Sequence, residues 1–165
     1  MTGMNSRFPA VALATSLLLG CQGDASQLCQ LARVADGDGL DLRCNGEPVR
    51  ARLYCIDAPE LGQKPWGQKS KNYLRQIVHQ QVRLRVRDHD RYGRVVAEIF
   101  SADGVEQNFN LALLAAGQAV VYRRYCEESE YLKVEQQARD YRIGVWSRPG
   151  QQQKPWEWRH RHPRR

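Results

Sequence analysis

The sequence predicts an α+β fold, a five-stranded β-barrel of the OB type packed against three helices. Five short apolar or alternating runs fall between residues 31 and 100, bounded by glycine and asparagine turns. Three longer segments carry apolar residues at helical spacing. Their order is three strands, helix, two strands, helix, a short extended piece, helix, with no internal repeat and no interdomain linker. Five strands in meander with helices interposed suggest a small barrel rather than an open sheet.

Each element has a local reason. "LARVADGDGLDLRC" holds two strands around the acidic, glycine-rich turn Asp36-Gly37-Asp38-Gly39. "NGEP", Asn45 to Pro48, is a hairpin signal because Asn-Gly suits positive φ angles. "VRARLYCI" follows as the third strand. "VRLRVRD" alternates apolar and basic residues, which predicts Val82, Leu84 and Val86 on one buried face. "DRYGR" turns the chain and "VVAEIF" returns as the fifth strand. The first helix lies in "PWGQKSKNYLRQIVHQ", where Trp66, Tyr73, Leu74, Ile77 and Val78 share a face. The second is "QNFNLALLAAG", closed by Gly117. The third, "SEYLKVEQQARDYRIG", has Ser129 as its expected N-cap and ends at Gly144.

The chain has 165 residues, with 25 Lys+Arg against 18 Asp+Glu. "FPAVALATSLLLG" is shorter than the ~20 apolar residues that span a bilayer. It follows Arg7 and ends in small residues, so residues 1–20 read as an export signal. "LLLGC" resembles a bacterial lipobox, which makes Cys21 the expected lipid site and a membrane the expected anchor. A basic exported protein suits polyanions, whether nucleic acid, acidic polysaccharide or anionic lipid, and charge alone does not choose among them. With Cys21 acylated, Cys29, Cys44, Cys55 and Cys126 remain, without zinc-like spacing, so disulfides are expected. Of the three possible pairings, Cys29–Cys44 and Cys55–Cys126 are expected. Residues 149–165 read as a basic tail outside the domain, a solvated extension.

One stretch, "RLYCIDAPE", is apolar enough to be a buried strand yet begins at Arg52 and ends in Asp57 and Glu60. Loops at a barrel's end can bring these together with Asp36, Asp38 and Arg94. Hard carboxylate oxygens suit Ca²⁺ or Mg²⁺. Guanidinium forks pair with phosphate and offset charge at phosphorus, and a further carboxylate can hold or deprotonate water. Arg52 and Asp57 are five positions apart, so strict alternation puts them on opposite faces. They reach one site only if a bulge or the strand's end re-aims one of them.

The order of motifs, "DGDG", "RLYCIDAPE", "DRYGR" and a late "GVW", resembles the staphylococcal-nuclease (thermonuclease) family across residues 28–148. The resemblance implies Asp38 and Asp57 as calcium carboxylates, with the main-chain carbonyl of Ala58 as a third ligand. It implies Glu60 as the residue that positions or activates water. Arg52 and Arg94 match the arginines that hold the scissile phosphate, and Arg91 and Tyr92 match residues lining the nucleotide pocket. Asp36 is expected near the ion but outside its direct ligands. Gly39 stands where the family more often has threonine, which removes one hydroxyl near the metal.

Together with the export signal, the resemblance implies an exported, Ca²⁺-dependent phosphodiesterase that cuts DNA, RNA or both to 3′-phosphate ends, expected to be a monomer. The alternative is a non-catalytic nucleic-acid-binding barrel, which would typically have lost Glu60 or one of the arginines. The histidines (His79, His89, His160 and His162) show no metal-like spacing. Tyr122, Tyr125, Tyr131 and Trp146 are expected in packing roles.

Overall fold

A computed structural model describes residues 26–163; the export segment and Cys21 lie outside the described residues. In chain order the elements are β1 (Gln27–Val34), β2 (Gly39–Cys44), β3 (Glu47–Leu53), β4 (Ile56–Asp57), α1 (Trp66–Ile77), β5 (Gln81–His89), β6 (Val95–Ser101), α2 (Phe109–Ala115), β7 (Val120–Val121) and α3 (Ser129–Asp140). Two 3₁₀ turns, Gly144–Trp146 and Gln151–Gln153, lead to α4 (Pro155–Arg161). The five long strands close into a barrel in the order β1-β2-β3-β6-β5.

The connectivity is a meander only through β3. α1 carries the chain across, so β6 pairs with β3 in parallel, as a crossover of that length permits. β1 closes the barrel antiparallel to β5. Both hairpin residues Asn45 and Gly46 have positive φ, 53° and 86°, as the Asn-Gly turn requires. Leu40, Leu42, Leu53, Leu84 and Ile99 fill the interior; burying each fully contributes roughly 1.5–3 kcal/mol. Leu74, Leu113, Leu114 and Tyr131 bring α1, α2 and α3 onto the same core.

Cys29 is bonded to Cys44 across the first hairpin, and Cys55 to Cys126. Several local expectations are corrected. Val86 is 46% exposed, because β5 outruns the barrel and its register with β6 shifts between Val86 and Asp88. Ser129 is the first residue of α3; Glu128 occupies the cap, without a side-chain cap bond. α3 ends at Asp140 rather than Gly144. Tyr131 is buried but Tyr125 is exposed, and Val145 rather than Trp146 enters the core. The basic tail is not a solvated extension, since Gln151–Gln153 and Pro155–Arg161 are helical and Pro155 and Gln152 are buried.

Candidate active site

The third strand breaks between Arg52 and the carboxylates that follow it. β3 stops at Leu53, Cys55 takes φ 70°, and the chain re-enters extended structure as β4 against β7. A buried break leaves backbone groups without ladder partners, and Asn110 takes them up. Its amide nitrogen donates to the carbonyls of Tyr54 (3.0 Å) and Ala97 (3.1 Å), and its oxygen accepts from the N–H of Ile99 (3.0 Å). Beyond the break Ile56 points to the core, Asp57 is fully buried, and Pro59 precedes Glu60.

The acidic turn between β1 and β2 folds onto this break. Asp38 accepts from the Leu53 N–H through its carbonyl (2.8 Å) and from the Ala58 N–H through Oδ2 (2.8 Å). Gly37 lets the turn approach α1, because a Cβ there would collide with Ser70 and lie 2.6 Å from the Ala58 Cβ. A Cβ on Gly39 would lie 2.7 Å from Oδ1 of Asp36, so the Asp36 carboxylate occupies the space beside the glycine.

Arg52 bridges the two aspartates, with Nη1 3.2 Å from Oδ1 of Asp38 and Nη2 2.6 Å from Oδ1 of Asp57. A second guanidinium arrives from α4. Arg159 donates from Nη1 to Oδ1 of Asp57 and to Oε1 of Glu60, and from Nη2 to Oδ2 of Asp57, all at 2.8 Å.

Burial, reinforced by Asp38, pushes the Asp57 carboxyl above its ordinary range, against the pull of Arg159 and Arg52. Burial opposes the charge on Arg52, but Asp38 and Asp57 outweigh it and push its pKa up. Arg159 is raised likewise against its burial, by Asp57 first and then Glu60. These directions pull apart. With both Asp57 oxygens on guanidinium donors, the ionised carboxylate is the state the geometry describes. Burial and the neighbouring Asp38 push Asp36 up to about 6.

Glu60 is set by its own loop. Its N–H donates to Oε1 of Gln63 (2.8 Å), and the Gln63 N–H donates back to its carbonyl (2.7 Å). Arg94 lies on the β5–β6 turn, where its Nε donates to Oδ2 of Asp90 at 2.7 Å. Asp90 is slightly buried, but the N–H groups and guanidinium it accepts from hold its carboxyl below the ordinary range. Arg91 Nη2 donates to the Tyr92 hydroxyl at 2.8 Å, and both residues are exposed on the same turn. The structure thus gathers Asp38, Asp57, Ala58, Arg52 and Glu60. Arg94, Arg91 and Tyr92 lie on the neighbouring β5–β6 turn, where Arg94 is bonded to Asp90 and Arg91 to Tyr92.

Sequence reasoning missed Arg159 and Gln63. "KPWEWRH" did carry a signal for the first: proline at the first helical position and two tryptophans are unlike a disordered tail. Gln63 had none, since its role depends on a loop closing around it.

Among the described residues no three acidic, histidine or cysteine side chains form a ready cluster for a metal ion. The donors at hand are the Asp38 and Asp57 carboxylates and the Ala58 carbonyl. These are hard oxygens, two of them on buried side chains, and they fit a divalent cation such as Ca²⁺ in chemistry.

A closed barrel bearing buried aspartates, a glutamate and arginines at the edge of one broken strand defines a class of OB-type domain with a charged polar site. Residues 50–148 match the model of the family described as "Staphylococcal nuclease homologue". The chain is 33% identical over 159 residues to "Micrococcal nuclease" of Shigella flexneri, covering 91% of this chain and 90% of the relative. It is 36% identical to "Protein ParB" of Escherichia coli (79% and 77% covered) and 36% identical to "Uncharacterized endonuclease" of Haemophilus influenzae (82% and 78%). The chain belongs to the staphylococcal nuclease homologue family.

Proposed function

We propose that this protein is an exported, Ca²⁺-dependent nuclease that hydrolyses phosphodiester bonds in DNA, RNA or both and leaves 3′-phosphate ends. The observation that carries the reading is the meeting of Arg52, Asp38, Asp57 and Glu60 at the break in the third strand. Family membership and the nuclease names of relatives support a hydrolase acting on nucleic acid.

Glu60 is the base in this reading. It holds a water and takes its proton as the water oxygen bonds to phosphorus. The 5′-oxygen leaves opposite and takes up a proton from solvent. Arg52 is pre-set by Asp38 and Asp57 and faces the equatorial oxygens. Arg94 is fixed by Asp90 through Nε, which leaves its terminal nitrogens for the phosphate. Arg91 and Tyr92, exposed on the same turn, contact the neighbouring nucleotide. Asp38, Asp57 and the Ala58 carbonyl would hold Ca²⁺, which supplies positive charge against the phosphate. Residues 1–20 and Cys21 support export with a lipid anchor, and the domain is read as a monomer.

Timed cleavage of single-stranded DNA by the oxidised protein, with Ca²⁺ and with chelator, tests the reading, together with Glu60→Ala. Ca²⁺-dependent cutting that falls about 100-fold or more in the variant is expected, the scale of losing an acid–base group. Salt-sensitive DNA binding without cutting would instead identify a binding barrel.

A further inference from the structure

The tail reaches the site by specific contacts. Gln63, whose side chain fixes the Glu60 N–H, donates through Nε2 to the carbonyl of Gln151 at 2.9 Å. The Trp158 ring covers Gly62 so closely that a Cβ there would lie 2.5 Å from it. Trp156 stacks on Tyr122, with ring centroids 5.9 Å apart and planes 18° from parallel. Gln152 donates to the carbonyls of Val145 and Arg148 at 3.2 and 2.7 Å. α4 is thereby held so that Arg159 grips both oxygens of Asp57 and one of Glu60.

The Asp57 oxygens are the ones the proposed chemistry needs. A cation ligated by Asp57 must take an oxygen that Arg159 now holds, while a water activated by Glu60 shares that carboxylate with the guanidinium on Oε1. A fork bound bidentately to a carboxylate is not displaced without cost. Arg52 is different, because it binds one oxygen of Asp57 and reaches Asp38 with its other nitrogen.

We propose that Arg159 competes with the catalytic cation for Asp57: Ca²⁺ binds as Arg159 leaves, and α4 sets the site's Ca²⁺ affinity. The proposal rests on the calcium-dependent reading above. With the guanidinium in place, both oxygens of Asp57 and one of Glu60 are committed and the cation's place at Asp57 is taken. With it withdrawn, Asp57 keeps Arg52 alone of these two guanidinium partners, and the negative charge left over attracts the divalent ion. The Trp156–Tyr122 stack and the Gln63–Gln151 bond make withdrawal a movement of the whole tail segment.

The test is calorimetric titration of Ca²⁺ into the metal-free, oxidised protein without nucleic acid, comparing wild type with Arg159→Gln and Arg159→Lys. Loss of a charged bidentate contact predicts about 10-fold or tighter binding in Arg159→Gln. Arg159→Lys, which keeps the charge but not the fork, is expected between the two. Hydrogen exchange on the wild type supplies a reading that needs no substitution, with residues 155–161 exchanging faster at saturating Ca²⁺. Unchanged or weaker Ca²⁺ binding in Arg159→Gln, with a native circular dichroism spectrum, overturns the competition alone and leaves the calcium site standing. Unchanged protection of α4 in saturating Ca²⁺ overturns it as well. Failure of every variant and the wild type to bind Ca²⁺ overturns the calcium reading and the competition together.

Discussion

Arg52 Nη2 donates to Asp57 Oδ1 at 2.6 Å across the break in the third strand. The turn at Tyr54 and Cys55, with Cys55 at φ 70°, makes this possible by rotating the chain between them, and Asn110 satisfies the backbone groups that the turn exposes. Asn110→Ala leaves the Ile99 N–H and the Tyr54 carbonyl without that partner in a buried place. About 2–4 kcal/mol of stability should be lost, read as a shift in the urea midpoint at constant slope. Cleavage should fall too, because the turn that aims Asp57 loosens. A variant within ~0.5 kcal/mol of wild type, the scale of an inconsequential substitution, would show that the turn holds without Asn110.

Gly67 bears on Glu60 in a comparable way. It lies in the first turn of α1, where a Cβ would run into the Glu60 carbonyl oxygen and lie 2.7 Å from the Leu61 Cα. These are backbone atoms and cannot rotate aside. Gly67→Ala should therefore push the 60–63 loop outward, costing about 1–3 kcal/mol as overpacking does. Cleavage should drop about 10-fold or more through misplacement of the base, while Ca²⁺ affinity at Asp38 and Asp57 stays near wild type. Equal losses in metal binding and cleavage would place the damage in the whole site rather than in the Glu60 loop.

The barrel was legible because its strands announce themselves: "VRLRVRD" and "VVAEIF" pattern as they fold, and Asn45-Gly46 turns as such pairs do. What failed did so where tertiary placement decides. Val86 keeps the alternation, but β5 extends past the core, so the pattern continues with nothing to bury against. The charges of "RLYCIDAPE" flagged the site, and the conflict between Arg52 and Asp57 flagged the break. Neither the position nor the partner of that break was readable, because Asn110 lies on α2, 56 positions from Tyr54. Arg159 was hidden for a related reason. It is 102 positions from Asp57, and a basic tail segment says nothing local about where it docks.

The Cys55–Cys126 disulfide closes a sequence separation of 71 residues and starts at the residue that turns the break. Chain-entropy arguments assign such a loop about 4 kcal/mol. Replacing both cysteines with serine should lower the denaturation midpoint accordingly. Because the Cys55 carbonyl also accepts from the Tyr122 N–H at 2.9 Å, cleavage should fall beyond what the unfolded fraction explains. The same change at Cys29 and Cys44, which pair at the open end of the β1–β2 ladder opposite its Asp36–Gly39 turn, should cost stability with little change in the activity of folded molecules. Equal specific activities for the two double variants would separate the second disulfide from the site.

Asp36 carries the pH prediction. Its carboxyl is pushed from an ordinary 3.8 up to about 6, by burial and then by Asp38. Well below pH 3.8 the group is protonated in both folded and unfolded chains and contributes no difference. Between about 4 and 6 the folded chain binds the proton more tightly, so stability falls as pH rises through that window. Above 6 the folded chain carries the full cost of an ionised, partly buried carboxylate beside Asp38. Asp36→Asn keeps the oxygen that accepts from the Asp38 N–H at 3.2 Å but removes the charge. The variant should lie close to wild type at pH 4, where only a small part of the difference has developed, and exceed it at pH 7.5 by about 1–2 kcal/mol, a two-unit shift discounted for partial exposure. Thermal unfolding in chelator at both pH values reads this as a Tm gain of several degrees at pH 7.5 alone. Asp57, raised in the same direction, is present in both proteins and cancels in the comparison. An equal gain at both pH values would place the effect in packing of the turn rather than in the Asp36 charge.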